Sequence, residues 1–398
     1  MSVTIANGII YQDNIENKKD ISNDDKSNYK IVPLNAVAYN KMRMWQGAVG
    51  VNTLTTGIVS PAYIVAIPNE KILPNFVSYL FKSKIMIGEF DKNSYGLCLD
   101  MNNLRYDDFR NIKIPLPPLQ EQKEIAEFLD SKCEKIQNYI DKKQKLITLL
   151  QEKKQALINE VVTKGLNPNI ESKNSGIEYL GLIPHHWEVT NLKNIVSIKS
   201  GGTPSRDNKD YWNGDIPWIR SEFCHNQHIF QCDVKEKITT LGLQKSSAKM
   251  CEKNTILIAL VGATIGQVAF LNFKSAINQN IAAIYPNNAA ILDNVFLFFV
   301  ALTFKQRFEI LGKYAIANLA FIGNLKIPLP PLQEQKEIAE FLDKKCEKIN
   351  SVIEKTKRQI ELIKEYKNTL INEAVCGRIA CSRDFSPFSK AQNDKKKN

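Results

Sequence analysis

Hydrophobic side chains recur in heptads along two segments of this chain, residues 120–163 and 333–375. The heptad residues are Leu129, Ile136, Leu150 and Leu157 with Cys133, Ile140, Ile147 and Val161 in the first segment, and Leu342, Ile349, Ile363 and Leu370 with Cys346, Ile353, Ile360 and Ala374 in the second. No Pro or Gly interrupts either segment, so each is predicted to be one continuous helix about 65 Å long. Such a narrow apolar stripe suits a single partner helix, and each helix can supply that partner for the other.

Both predicted helices begin within the same sequence, KIPLPPLQEQKEIAEFLD, which occurs at residues 113–130 and again at 326–343. The alignment extends to residues 111–160 against 324–373, where roughly 34 of 50 positions agree. Because a coiled coil needs only the heptad pattern, the identity suggests that another molecule contacts both copies in the same way. The second helix begins where the second globular block ends, so the chain connectivity favours an antiparallel pair with one globular block at each end.

The blocks that precede the helices are predicted to be mixed α/β and rich in strands. In the second block we predict strands at 255–261, 267–271 and 277–285, and a helix at 296–311. The first block has a similar glycine turn at 45–50, a strand after residue 60 and a helix at 76–84. The predicted fold class is therefore α+β, with two globular domains alternating with two long helices in an antiparallel coiled coil. The predicted boundaries are 1–114, 115–164, 165–327, 328–377 and a basic, disordered tail at 378–398.

The net charge of +11 lies outside the helices, since the acidic and basic residues of each helix cancel. A positive surplus on the blocks fits a polyanionic partner such as DNA. No apolar run approaches the ~20 residues of a membrane span, and no signal peptide is evident. Eight thinly spread cysteines indicate reduced thiols, and we therefore expect a cytoplasmic protein.

Sequence motifs for catalysis are missing from this chain. We find no P-loop, no Gly-x-Gly-x-x-Gly after a strand and no Gly-x-Ser-x-Gly turn. Cys224, His225, His228 and Cys232 could approach one zinc ion, but structural zinc sites usually combine two paired clusters. We therefore expect neither catalytic residues nor a bound metal.

Several motifs together resemble the DNA-specificity subunit of type I restriction–modification systems. They are the repeated Ile-Pro-Leu-Pro-Pro-Leu-x-Glu-Gln before each helix, Gly-x-Ile-Pro-x-x-Trp-Glu-Val at 181–189, Gly-Gly-Thr-Pro at 201–204 and Gly-Asp-Ile-Pro-Trp at 214–218. The resemblance implies two target-recognition domains, each reading half of a split sequence in double-stranded DNA. It also implies a non-catalytic chain that docks two methyltransferase subunits and works with motor-nuclease subunits. S-adenosylmethionine, ATP and Mg²⁺ are then expected on those partners, and no cofactor on this chain.

Base edges are read by polar side chains presented from loops, which selects candidates in both blocks. In the first block these are Lys41, Arg43, Gln46 and Asn52, and in the second Arg220, Ser221, Thr264, Gln267, Asn278, Gln279 and Asn280. Thr203 and Ser205, in the loop at 201–205, are further DNA-binding candidates. Candidates for phosphate contacts, which add affinity without sequence information, are Lys199, Arg206, Lys209 and Lys245.

The first block departs from the family pattern, since neither Gly-x-Ile-Pro-x-x-Trp-Glu nor Gly-Gly-Thr-Pro precedes its helix. We therefore expect that some 40–50 residues of the usual architecture are missing before residue 1. Two alternatives stay open at this point: a coiled-coil scaffold with two protein-binding heads, and an inactive or recombination-cassette fragment of a specificity subunit.

Overall fold

The computed structural model describes residues 1–5, 7–14, 26–96, 102–225, 227–305 and 318–379. The chain divides into two compact units. Unit 1 comprises Met1–Lys145 with Thr356–Asn398, and unit 2 comprises Leu146–Lys355. Each unit thus holds one globular block and one half of each long helix. Most of the predicted tail, and residues 306–311 of a predicted helix, lie outside the described residues.

Unit 1 begins with short antiparallel strands followed by helices. Its strands are β1 (Ser2–Thr4), β2 (Gly8–Ile10), β3 (Lys30–Val32), β4 (Val37–Asn40), β5 (Val49–Val51), β6 (Gly57–Val59) and β7 (Tyr63–Ala66). Its helices are α1 (Pro74–Lys82), α2 (Lys84–Lys92), α3 (Tyr106–Phe109) and the first part of α4 (Leu119–Lys164). The predicted helix at 76–84 is split because Ser83 ends α1 and its hydroxyl accepts the Met86 N–H as the N-cap of α2.

The strands of unit 1 form the sheets β1–β2, β3–β6 and β5–β4–β7, all antiparallel. Tyr39 of β4 packs its ring on Phe109, which also contacts Phe81 and Phe90. Phe90 is fully buried. These aromatic rings join the sheet to α1 and α2.

Unit 2 contains thirteen strands and three whole helices within its described residues, together with the second part of α4 and the first part of α8. The strands are β8 (Ser172–Asn174), β9 (Leu182–Pro184), β10 (Glu188–Asn191), β11 (Val196–Ser200), β12 (Trp212–Ile219), β13 (His228–Ile229), β14 (Lys237–Ile238), β15 (Lys249–Cys251), β16 (Ile256–Ala259), β17 (Val268–Leu271), β18 (Ser275–Ile277), β19 (Ile281–Pro286) and β20 (Lys326–Leu329). The helices are α5 (Thr240–Gln244), α6 (Asn294–Leu302), α7 (Leu319–Asn324) and α8 (Leu332–Val375), and α8 continues into unit 1.

Two sheets dominate unit 2, with strand orders β11–β19–β16–β17–β13 and β14–β12–β18–β15. One face of the first sheet packs against α6 and the long helices, in a core that includes Ile256, Ile284, Phe296 and Leu342. The predicted strand at 277–285 is divided into β18 and β19. Asn278 Oδ1 accepts the backbone N–H of Asn280, and this Asx turn breaks the extended backbone.

The long helices pack antiparallel, as predicted. In unit 2, Lys154 Nζ of α4 lies 2.9 Å from Asn350 Oδ1 of α8, and it faces Cys346. In unit 1, Lys367 of α8 faces Cys133 of α4; burial raises the pKa of the Cys133 thiol and the lysine opposes this. The 213-residue offset of the repeat makes residue 133 equivalent to 346 and residue 154 equivalent to 367. The pair 154/346 in unit 2 is therefore equivalent to the pair 367/133 in unit 1, and the two helices pair in the same register in both units.

Most of the predicted heptad residues are buried, including Leu129, Ile140, Ile353 and Leu370, whereas Leu150, Leu157, Ile349 and Ile363 are half-buried. Lys154 interrupts the stripe but remains 91% buried, because Asn350 and Gln227 accept from its ammonium. No helix among the described residues is long and apolar enough to cross a membrane.

The two units share a sheet arrangement that is not evident from their sequences. The order β5–β4–β7 in unit 1 matches β17–β16–β19 in unit 2, and the pair β3–β6 matches β15–β18. Helix α1 follows β7 as α6 follows β19. Matching positions are about 219 residues apart, since Asn40 N donates to Ala48 O as Ala259 N donates to Gln267 O. Each unit therefore presents equivalent loops.

Candidate nucleic-acid interface

Several loops of unit 2 leave its sheets at one edge. Ser200 pairs with Ala282, Ala259 pairs with Ile281, and Ile219 pairs with Ile277 at the ends of their strands. The loops after β11, β12, β16 and β18 therefore start side by side. These loops carry most of the predicted DNA-binding residues of unit 2, which are spread along the sequence between residues 199 and 280.

The glycine pair at the start of this edge is required by close packing. A Cβ on Gly201 would lie 1.8 Å from Ile277 O, and one on Gly202 would lie 2.0 Å from Ser247 Oγ. The indole N–H of Trp218 donates to Gly202 O at 3.0 Å. Together these contacts fix the loop at 201–206 against β18, so that its following side chains are presented from a rigid base.

Thr203 and Gln279 form a polar pair on this edge, and both are exposed. Thr203 Oγ1 donates to Gln279 Oε1 at 2.6 Å, and the Gln279 carbonyl accepts from Ser200 Oγ. The amide is thus held by its oxygen, which leaves the Nε2 hydrogens as donors. Donors of this kind pair with acceptor atoms on base edges in the major groove.

Arg206 is held over an aromatic surface. Its guanidinium carbon lies 3.8 Å from the Trp212 ring centroid, and Nη2 lies 3.2 Å from Glu236 Oε2. Arg220 Nε lies 3.7 Å from the same carboxylate. Arg220 Nη2 also lies 2.5 Å from Glu222 Oε1. Two carboxylates therefore pair with the two arginines and orient both guanidinium groups before any ligand binds.

The remaining unit 2 candidates differ in accessibility. Ser205 and Lys245 are exposed, while Ser221, Thr264 and Asn280 are half-buried. The Lys199 side chain is held by contacts within the protein, because Nζ donates to Met250 O at 2.6 Å and lies 5.2 Å from the Tyr285 ring centroid.

Two of the candidate amide side chains, Asn278 and Gln267, are engaged or enclosed within the protein. Asn278 is 5% exposed and forms the Asx turn with Asn280. Its assignment to base reading is corrected to a structural role, since this turn positions Gln279. Gln267 Oε1 is buried without a hydrogen-bond partner among the described residues.

In unit 1 the candidates Lys41, Arg43 and Gln46 lie in the β4–β5 hairpin, which matches the hairpin bearing Thr264 and Gln267. Gly47 and Gly266 have φ values of +87° and +74° in the two hairpins, a conformation that glycine adopts without strain. Arg43 and Gln46 are exposed and Lys41 is half-buried.

The prediction for Asn52 is wrong. Its side chain is 0% exposed, and Nδ2 donates to the carbonyls of Val32, Pro33 and Thr55. Oδ1 accepts from Leu54 N. The amide closes the turn between β5 and β6, since buried backbone carbonyls need partners, and it cannot reach a base.

Sequence reasoning missed Glu236 and Trp212, which orient Arg206, and the turn at 60–62 in unit 1. That turn matches 278–280, because Lys41 N donates to Ala62 O as Leu260 N donates to Asn280 O. The available signal was the similar spacing of the glycine turns in the two blocks.

The possible zinc ligands do not gather. No cluster of three or more metal-binding side chains occurs within the described ranges. Cys224 is buried, and this burial raises the pKa of its thiol to about 12.

Comparison with known proteins identifies the family. The type I restriction modification DNA specificity domain matches residues 6–151 and 184–362. This chain belongs to that family. It is a DNA-recognition subunit of a restriction–modification system and not an enzyme in its own right, which disfavours the scaffold alternative.

Relatives and structures agree with this assignment. The chain is 30% identical over 353 residues to the type I restriction enzyme MjaVIII specificity subunit of Methanocaldococcus jannaschii, covering 81% of this chain and 74% of that protein. It is 25% identical over 283 residues to the EcoBI specificity subunit of Escherichia coli, covering 67% and 58%. The fold resembles a chain from a structure of a type I restriction–modification system (TM-score 0.69, 19% identity, 88% and 84% covered) and the HsdS subunit of Thermoanaerobacter tengcongensis (TM-score 0.51, 20% identity, 88% and 83% covered).

Proposed function

We propose that each unit reads one half of a bipartite double-stranded DNA target, and that the long helices set the distance between the halves. The main support is that both units contain one sheet arrangement with different side chains on its loops. Two units with the same sheet arrangement and different loop side chains are expected to read different sequences, since base readout depends on loop side chains.

In this proposal, bases or phosphates are contacted in unit 2 by Thr203, Gln279, Arg206 and Arg220, and in unit 1 by Arg43 and Gln46. Arg206 was predicted as a phosphate contact. Its stacked, half-exposed guanidinium also suits bidentate recognition of guanine. The remaining exposed basic residues contribute salt-dependent affinity.

We further propose that the chain docks two methyltransferase subunits, and that motor-nuclease subunits join the assembly through them. S-adenosylmethionine, ATP and Mg²⁺ then act on those partners. The support is a set of identical residues that face solvent in both helices. They are Lys123, Glu127 and Glu134 in α4, and Lys336, Glu340 and Glu347 in α8.

Methylation mapping tests the reading function. The chain is expressed with methyltransferase subunits in a host that lacks other adenine methylation, and modified adenines are mapped across its DNA. We expect one motif with two defined halves and an unspecified gap. A continuous motif, or methylation that does not depend on this chain, would contradict the proposal.

Native mass spectrometry tests the docking function. Lys123→Glu and Lys336→Glu each reverse one exposed charge in an otherwise identical surface, so each variant should lose one of two methyltransferase subunits, and the double variant both. Lys355→Glu, an exposed helix position outside the identical segment, is the control. A single variant that loses both subunits would contradict two independent docking surfaces.

A further inference from the structure

The identical 18-residue sequence is covered differently in the two units. In unit 2, Ile327, Pro328 and Pro330 are buried, and the Glu334 side chain is 21% exposed. Their counterparts in unit 1 are more accessible: Ile114 and Pro117 are half-buried, and Pro115 and Glu121 are exposed. Because the residues are the same, the difference comes from what packs on them.

The covering element in unit 2 is the segment that contains β10 and Trp187. Strand β10 pairs antiparallel with β20, from Glu188 opposite Leu329 to Asn191 opposite Lys326. Trp187 is fully buried, and its indole N–H donates to Glu334 Oε2 at 3.0 Å. One segment thus supplies both a strand partner and a side chain for the start of α8.

The glycines that follow the long helices show the same difference. Gly165 has φ +76°, and a Cβ there would lie 3.2 Å from Trp187 Cζ2 and 3.1 Å from Glu334 Oε1. Gly377 ends α8 with φ +67°, and a Cβ there would meet nothing within 4 Å. Both helices therefore end in a similar left-handed turn, and the indole beside it is present only in unit 2.

Unit 1 has a groove at the corresponding place. Its volume is about 1230 Å³, and its walls include Glu121, Ile125, Phe128, Gly377 and Ile379. Among the described residues, no strand pairs with residues 113–116. The groove thus has an apolar wall and a carboxylate. Residues 113–116, which shortly precede it in the chain, add a backbone edge with no strand partner among the described residues. In unit 2 the same three features hold the Trp187 segment.

We propose that this groove binds a segment of another polypeptide with the pattern Ile-Pro-x-x-Trp followed by a strand. The strand adds antiparallel to residues 113–116, which is a common mode of peptide recognition. The indole enters beside Gly377 and donates its N–H to the Glu121 carboxylate. The proposal is independent of DNA reading, since it concerns a surface of α4 and the end of α8.

A synthetic peptide with the sequence of residues 178–193 tests this. It is labelled with a fluorophore and titrated with the full chain, and binding is followed by anisotropy. We expect saturable one-to-one binding, weakened at least tenfold by Glu121→Ala in the protein or by Trp187→Ala in the peptide. Asp141→Ala, which removes an exposed carboxylate on the same helix and outside the groove, should leave the affinity unchanged.

Three results would overturn the proposal. The first is no saturable binding, or equal binding to the Glu121→Ala chain. The second is binding only to a chain shortened to residues 1–379, which would mean that residues 380–398 cover the groove. The third is a dimer, seen by sedimentation, that Glu121→Ala dissociates, which would make a second copy the occupant.

Discussion

Gln122 and Gln335, which are 213 residues apart and both 0% exposed, make equivalent hydrogen bonds in the two units. Gln122 Oε1 accepts from Leu73 N at 2.8 Å, and Nε2 donates to the Lys71 and Pro117 carbonyls. Gln335 Oε1 accepts from Asp293 N at 2.8 Å, and Nε2 donates to the Ile291 and Pro330 carbonyls. Each amide fastens its long helix to the segment that precedes α1 or α6. Part of the sequence identity thus has an internal structural cause.

Replacing these glutamines should loosen one unit at a time. Gln122→Ala leaves buried backbone groups without partners, at a cost of about 1–3 kcal/mol in the free energy of unfolding. Hydrogen exchange followed by mass spectrometry should show faster exchange in α1 for this variant and in α6 for Gln335→Ala. Gln120→Ala is the matched control, because Gln120 is exposed and bonds only Glu124 one turn along. Equal effects of Gln120→Ala and Gln122→Ala would contradict this role.

Gln279→Ala should alter the half-site read by unit 2 and leave the other half unchanged. Loss of a base-edge contact costs about 1–3 kcal/mol of discrimination, so methylation should spread to sites that differ at one base pair. Lys245→Ala provides the contrast, since losing a phosphate contact weakens all sequences alike and lowers the salt dependence by about one ion. Methylation mapping and salt titrations of DNA binding distinguish the two variants. An unchanged motif with Gln279→Ala would exclude this side chain from base reading.

The long helices and their pairing were predictable because the heptad pattern is local and occurs twice. The shared sheet arrangement was not, because backbone hydrogen bonds such as Asn40 N to Ala48 O and Ala259 N to Gln267 O do not depend on side-chain identity. Two such frames can agree in topology while their sequences diverge.

The base-reading candidates were predicted less well than the helices. Asn52 and Asn278 have the right chemistry and lie beside turns, but asparagine also satisfies backbone groups in turns, and burial decides between these roles. Glu236 was missed because its link to Arg206 and Arg220 joins distant parts of the chain. Sequence spacing therefore located the loops, but the structure was needed to distinguish their exposed side chains from the buried ones.

Deleting one heptad from each long helix should shorten the gap between the half-sites. Removing residues 141–147 and 353–359 preserves the antiparallel register defined by Lys154 with Cys346 and Cys133 with Lys367. The loss is about 10 Å of helix, or about three base-pair steps. Methylation mapping should show a shorter gap between unchanged half-sequences. Deletion in one helix alone is the control, since it breaks the register, and an unchanged gap in the double deletion would mean that the helices do not set it.

Lys82 should make the stability of unit 1 depend on pH. Its Nζ donates to the carbonyls of Thr4, Ile5 and Gly47, at 3.2, 2.6 and 3.0 Å, and so ties the first strands to the hairpin that carries Arg43. Burial lowers the pKa of Lys82 from 10.5 to about 8. Between these values the unfolded chain binds more protons than the folded chain, so the stability of unit 1 should rise as the pH increases from 8 to 10.5.

Lys82→Met removes this titration and should abolish that rise, while also releasing residues 4–5 from the hairpin. Pulse proteolysis in urea at several pH values, with unit 1 fragments identified by mass spectrometry, measures both effects. Lys84→Met is the matched control, because Lys84 is an exposed lysine two residues away and its loss changes the charge equally. A rise that persists in Lys82→Met would assign the pH dependence to another group, and a fall in wild-type stability over this range would show that the three carbonyls hold the ammonium in its charged form.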